Sequence, residues 1–145
     1  MAARIRRAGA AAALVLLLLA TALAGAAYAK IVSGTNEDDV LTGTAHADQI
    51  SGYNGADTIT SKAGGDDLWG GAQSDKLYGE RGADDLDGGT GKDHLYAGPG
   101  NDEVFAADRH PDDIYCGPGY DQVFFDEDDD FAAHNCELVN GEIRP

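Results

Sequence analysis

Positive charge is scarce in this chain. Lys and Arg number 10 against 26 Asp and Glu over 145 residues, a formal net charge of −16. Gripping phosphate takes a basic surface, so nucleic acid and anionic membranes are poor partners. Cysteine is nearly missing, with Cys116 and Cys136 alone. They stand too far apart for a metal-binding pair; in an exported chain an even count reads as one disulfide. A staple across 20 residues contributes roughly 3 kcal/mol in the chain-entropy model. A 3.6-residue apolar period is absent and 20 glycines are spread along the chain, which excludes helix as the main element. Catalysis finds no foothold. His46, His94, His110 and His134 have no recurring Ser or Cys partner and no H-E-x-x-H motif occurs. Members of a hydrolase triad need not be neighbours in sequence, so that arrangement alone stays open.

Long apolar runs are confined to the N-terminus. Arg4, Arg6 and Arg7 lead into the run Ala8 to Ala24, and Ala27-x-Ala29 follows. Charged, apolar and small regions in that order predict a secretory signal over residues 1–29, cut after Ala29. The rival is a membrane anchor, but 17 residues sit at the short edge for spanning a bilayer. No Cys directly follows the run, which argues against a lipoprotein anchor. Cleavage leaves Lys30 to Pro145, 116 residues with seven basic side chains against 26 acidic, or a formal charge of −19. That is one domain, expected outside the cell and with no stable membrane insertion. So many acids repel one another in any compact state. They make either a solvated, partly disordered chain or a set of cation sites, and their placement decides.

The placement is periodic. Val40, Ile50, Ile59, Leu68, Leu77, Leu86, Leu95, Val104, Ile114 and Val123 follow one another at 9 or 10 residues. Two positions before each stands an aspartate, never a glutamate: Asp38, Asp48, Asp57, Asp66, Asp75, Asp84, Asp93, Asp102, Asp112 and Asp121. A fixed short period signals a solenoid, whose units bury their faces against one another. Each unit divides into a glycine-rich turn of six residues and a strand of about three. The turn favours glycine because tight curvature calls for positive φ. In the strand, alternation sends the apolar residue inward and its neighbours outward. Units near Thr42 and Ser51 are each expected to carry one extra residue, as does "AADRHPDDIY", which has a proline and no glycine.

Gly88, Gly89, Gly91, Asp93 and Leu95 match every fixed position of the nonapeptide G-G-x-G-x-D-x-U-x. Gly70, Gly71, Asp75 and Leu77 match with Gln73 at the fourth position, and Gly79, Gly82, Asp84 and Leu86 with Glu80 at the second. Gly98, Gly100, Asp102 and Val104 match after Ala97, as do Gly117, Gly119, Asp121 and Val123 after Cys116. From about Ser33 to Phe124 the chain resembles the RTX, or hemolysin-type, calcium-binding nonapeptide-repeat family. The resemblance implies an all-β parallel β-roll of about ten nonapeptides, two per 18-residue coil, with calcium ions held between successive turns along each edge. Asp75 with Asp93, Asp66 with Asp84, and Asp84 with Asp102 are then the foremost pairs, while Asp48 and Asp112 lie in irregular units. The chemistry of the residues agrees, since calcium takes six to eight oxygens and a glycine turn exposes its carbonyls. Many members of the family leave by a C-terminal signal, whereas this chain has an N-terminal one.

Other constellations are weaker. Tyr78, Tyr96 and Tyr115 are expected to form a ladder on one sheet face, and Trp69, Phe105 and Phe124 to stand on the other, interrupted by Asp87. Stacking between neighbouring strands explains both; a glycan or protein partner is the alternative. "DEDDD" (Asp126 to Asp130) with Glu137 imitates an EF-hand loop, but Phe131 stands where that loop needs glycine. Residues 126–145 read instead as a cap, Phe131, Leu138 and Val139 covering the core and Cys136 tied to Cys116. An ice-binding solenoid would want regular Thr-x-Thr, which the central units lack. The expectation is a secreted, non-enzymatic calcium-binding β-roll that folds on calcium; the alternative is an extracellular adhesion or ligand-binding module using the aromatic faces.

Overall fold

The computed structural model describes residues 29–125, 131–136, 138–139 and 142–143. The expected signal, all but its last residue, and the acidic run 126–130 lie outside them, as do the side chains of Phe131, Leu138 and Val139. The described residues form strands joined by turns, without helix. In chain order these are β1 (Ile31–Ser33), β2 (Val40–Thr42), β3 (Gln49–Asn54), β4 (Thr58–Thr60), β5 (Asp67–Ala72), β6 (Lys76–Tyr78), β7 (Asp85–Thr90) and β8 (His94–Tyr96). Then come β9 (Glu103–Phe105), β10 (Asp113–Tyr115), β11 (Gln122–Phe124), β12 (Phe131–His134), β13 (Leu138–Val139) and β14 (Glu142–Ile143).

Odd and even strands separate into two sheets. One runs β1-β3-β5-β7-β9-β11-β13-β14, the other β12-β10-β8-β6-β4-β2, and every pairing is parallel except β13 with β14. The chain therefore climbs a parallel β-solenoid of about five turns, crossing from one sheet to the other at each glycine turn. Alternation along each strand aims the apolar residue at the opposite sheet. Ile50, Leu68, Leu86, Val104 and Val123 line up across one sheet, and Ile59, Leu77, Leu95 and Ile114 across the other, each at most 1% exposed. Burying such a side chain is worth about 1.5–3 kcal/mol, so the core is a single row of large residues per sheet.

The first unit is framed differently from the expectation. Leu41, not Val40, pairs with Ile59, and Val40 is 82% exposed. Adjacent residues Val40 and Leu41 are both apolar, and Asp38 and Asp39 both acidic, so either frame offers an Asp two positions before an apolar residue. Hydrogen bonding to the next coil selects Leu41, which stands nine residues before Ile50. No extra residue remains in the units near Thr42 and Ser51, and β1 adds an earlier inward position, Val32 opposite Ile50. The insertion between Phe105 and Asp113 stays, and β9 and β10 keep their register around it.

At the C-terminal end β12 pairs in parallel with β10 and β13 with β11 before β14 reverses direction. The segment expected to cover the end of the solenoid thus extends both of its sheets first. Cys116 and Cys136 are bonded, with Cα atoms 5.4 Å apart, and Cys116 is fully buried in the core. The staple joins one coil to the next.

Candidate metal centre

Turns stack in two columns, one along each edge of the roll. Residues 34–39, 52–57, 70–75, 88–93 and 106–112 form the first; 43–48, 61–66, 79–84, 97–102 and 116–121 the second. Each turn ends in an aspartate, and those from Asp48 onward are no more than 3% exposed. In both columns a carboxylate oxygen, Oδ1, accepts a hydrogen bond from the backbone N–H of the aspartate one coil earlier. On the first edge Asp39 donates to Asp57, Asp57 to Asp75, Asp75 to Asp93 and Asp93 to Asp112, at 2.7–2.8 Å. Along the second, Lys30 donates to Asp48, Asp48 to Asp66, Asp66 to Asp84, Asp84 to Asp102 and Asp102 to Asp121, at 2.7–3.0 Å. The pairs Asp75–Asp93, Asp66–Asp84 and Asp84–Asp102 are brought together as the 18-residue spacing predicts.

Asp38 is not in this series. Its exposed carboxylate accepts from the Ala56 amide, and Asp39 holds the ladder position.

The other carboxylate oxygen separates the turns into two kinds. Oδ2 of Asp57, Asp66, Asp75, Asp84, Asp93 and Asp102 is buried with no hydrogen-bond donor among the described residues. Acceptors face it instead: a Cβ built on Gly70 would stand 2.5 Å from both Asp75 Oδ2 and the Gly88 carbonyl oxygen. In the first turn of each column a threonine supplies the missing donors. The Thr35 amide and hydroxyl reach Asp39 Oδ2 at 2.6 and 2.9 Å, and those of Thr44 reach Asp48 Oδ2 at 2.5 and 2.9 Å. Apart from the irregular turn 106–112, later turns hold the residue in this second position at positive φ, as in Tyr53 (82°), Gly71 (117°) and Glu80 (67°). Neither threonine was singled out from sequence, although the shared Gly34-Thr35 and Gly43-Thr44 dipeptides were there to be read.

On the second edge the fourth turn position brings neighbouring coils closest. A Cβ on Gly82 would overlap the Gly64 carbonyl oxygen and lie 2.6 Å from Asp84 Oδ1; on Gly100 it would overlap the Gly82 carbonyl oxygen and lie 2.5 Å from Asp102 Oδ1. Main-chain carbonyl and carboxylate oxygens of successive turns therefore crowd together at Gly82 and Gly100, leaving no room there for a Cβ. Gln73 fills this slot on the first edge at φ 83°, a left-handed conformation costing a non-glycine residue about 1–2 kcal/mol.

The electrostatics follow from burial. Desolvation, and after it the charges of Asp93 and Asp57, push the Asp75 carboxyl up to about 7 against the pull of the Asp57 amide. Asp84 likewise rises to about 7 through burial and its acidic neighbours, and Asp93 and Asp102, again mainly through burial, to about 6. At Asp48 burial acts in the same direction, but the Thr44 and Lys30 hydrogen bonds outweigh it and hold the carboxyl below its ordinary value. A donor-poor carboxylate must take up a proton or a cation.

In the irregular turn, Asp108 Oδ2 accepts from the Gly91 amide at 2.9 Å and pairs with His110 Nδ1 at 2.8 Å. That carboxylate was not expected, because the inserted residue moves it out of the nine-residue frame. Among the described residues no three His, Cys, Asp or Glu side chains converge on one point. A cation between these turns would thus complete its shell with main-chain carbonyls, as calcium does readily.

The aromatic columns match the expectation. Tyr78, Tyr96 and Tyr115 stack at 4.9 Å within 6° of parallel, and Phe105 stacks on Phe124 at 5.0 Å. Comparison with curated proteins finds no match. A model of the RTX calcium-binding nonapeptide repeat matches residues 33–68, 60–95 and 81–108, more than half of the chain. These matches end before the Asp112 and Asp121 units, so the expected count of ten exceeds what they show. With the parallel roll and its ladders of turn aspartates, the chain belongs to the RTX calcium-binding nonapeptide-repeat family.

Proposed function

We propose that this protein is an exported, non-enzymatic β-roll that binds calcium between successive turns and folds as it does so. The observation that carries the reading is the row of buried Oδ2 atoms on Asp57, Asp66, Asp75, Asp84, Asp93 and Asp102, which lack donors among the described residues, with carbonyl oxygens of the next coil beside those of Asp57, Asp75 and Asp84. These six would hold calcium together with turn carbonyls, and Asp112 and Asp121 continue their ladders. Asp39 and Asp48, already satisfied by threonine, would contribute least. Bound calcium would supply positive charge that neutralises stacked carboxylates and ties each turn to the next, so binding energy becomes folding energy.

The test is far-UV circular dichroism of the chain from Lys30 during a calcium titration, with calorimetry alongside. β-sheet signal should grow cooperatively at ~10⁻⁴ to 10⁻³ M calcium, the range of extracellular modules. Magnesium should substitute poorly, because it dehydrates reluctantly. A chelator-resistant β signal with no calorimetric calcium binding would end the reading. Export is supported by the order of charged, apolar and small residues before Lys30; the intact mass of secreted material should correspond to a chain beginning there.

The alternative, an adhesion or ligand-binding module, gains nothing from the tyrosine ladder, whose rings cover one another's faces. On the other sheet Asp87 interrupts the aromatic column and leaves Trp69 and Phe105 partly exposed.

A further inference from the structure

The outer face of the eight-stranded sheet carries two columns of side chains in register. Gln49, Asp67, Asp85 and Glu103 form one; Ser51, Trp69, Asp87, Phe105 and Phe124 form the other. Phe105 stacks one ring face on Phe124, so its other face looks toward Asp87. Trp69 stands on the far side of Asp87 and, among the described residues, stacks on no ring; it is 40% exposed and Phe105 39%. Between them lies a cleft of about 360 Å³ lined by Asp67, Trp69, Asp85, Asp87 and Phe105. No Lys, Arg or His among the described residues lies within ion-pair distance of its three carboxylates.

We propose that this cleft receives an arginine side chain from a basic protein partner. The two aromatic walls stand two strand spacings apart, roughly 9.6 Å. A cation midway is about 4.8 Å from each, inside the ~6 Å within which a ring face attracts positive charge. Guanidinium suits the place better than ammonium or calcium. It is planar and weakly hydrated, stacks on rings, and offers a fork of donors to carboxylates, whereas calcium seeks a shell of six to eight oxygens. The cleft opens on a sheet face and encloses nothing, so its occupant is the tip of a larger body. A chain of formal charge −16 also steers basic partners toward itself.

The inference needs the folded roll but not the calcium reading, so it is tested with excess calcium on material whose circular dichroism shows the β-roll. Trp69 is the only tryptophan, and its emission reports the cleft directly. Titration with the blocked peptide acetyl-Gly-Arg-Gly-amide should give a saturable change. The same peptide with citrulline, which keeps the shape and removes the charge, should bind at least tenfold more weakly. Asp87→Asn and Phe105→Ala should each weaken the arginine peptide at least fivefold, while Asp113→Asn on the other sheet leaves it unchanged. No saturable change, equal binding of the citrulline peptide, or wild-type affinity in Asp87→Asn overturns the proposal.

Discussion

The turns ending at Asp48 and at Asp84 lie on the same edge of the roll, and each ends in a buried aspartate whose Oδ1 caps a backbone amide of the preceding coil. They differ in one respect. Thr44 gives Asp48 two donors at Oδ2, whereas Asp84 Oδ2 has none among the described residues. The first turn is complete as a piece of protein; the later one is complete only with a proton or a cation. The same carboxylate, with the same backbone duty, is thus a structural cap in one place and, under the proposed function, a calcium ligand in the other. The residue second in the turn sets the difference.

The sharpest break of that comparison is Asn at both positions. Asn keeps a carbonyl for the backbone amide and removes the charge. Asp84→Asn should raise the calcium midpoint about five- to tenfold, because a site loses its anionic ligand. In chelator the same change should favour the roll, since it removes a charge buried without a partner. Asp48→Asn should move the midpoint less than twofold. Equal shifts in the two calcium titrations would erase the distinction between the turns.

Protons should imitate calcium at the donor-poor turns. The folded pKa values of Asp75 and Asp84 are raised to about 7, and those of Asp93 and Asp102 to about 6, above the unfolded carboxylate value of about 3.9. The folded state therefore binds more protons across this window, and stability without calcium falls as pH rises from about 4 to 7. In chelator, β signal should grow as the pH is lowered from 7.5 to 5. A signal flat or falling over that interval would contradict the burial of these carboxyls.

Smaller effects probe the turn backbone. Thr44→Val removes the hydroxyl donor at Asp48 while its amide remains, and should cost about 1 kcal/mol in urea unfolding with calcium present. The calcium midpoint should stay in place; a large shift would mean that Asp48 is a full calcium ligand after all. Gln73→Gly relieves a non-glycine residue at φ 83°. Glycine also loosens the unfolded chain, so the net gain should be about 0.5–1 kcal/mol, visible as a rise of a few degrees in Tm. A lowered Tm would mean that the Gln73 side chain, not its backbone, is what the turn uses.

Much of this was readable along the chain. From Ile50 to Val104 the nine-residue phase is unambiguous, because a shift of one residue would turn Asp67 and Asp85, or Ser51 and Asp87, into the core. The tyrosine ladder came out of the same count, and the Cys116–Cys136 bond out of there being just two cysteines. The first unit did not, since Asp38-Asp39-Val40-Leu41 offers two Asp-x-apolar frames, of which only the one ending in Leu41 keeps the nine-residue step. Neither did the threonine donors, which act through turn geometry, nor the parallel pairing of β12 and β13, which lies beyond the last glycine turn.

By itself the sequence determined the solenoid, its period and, from Ile50 onward, which side chains face inward. A side chain's direction alternates along an extended strand, and two nonapeptides close one coil. Tertiary structure alone decided which carboxylate oxygens find a donor and which ring faces stay open. Those outcomes depend on what stands one coil away, 18 residues off in sequence but about 4.8 Å off in space. At that distance a threonine in place of a glycine, or Asp87 between Trp69 and Phe105, changes what the surface can hold.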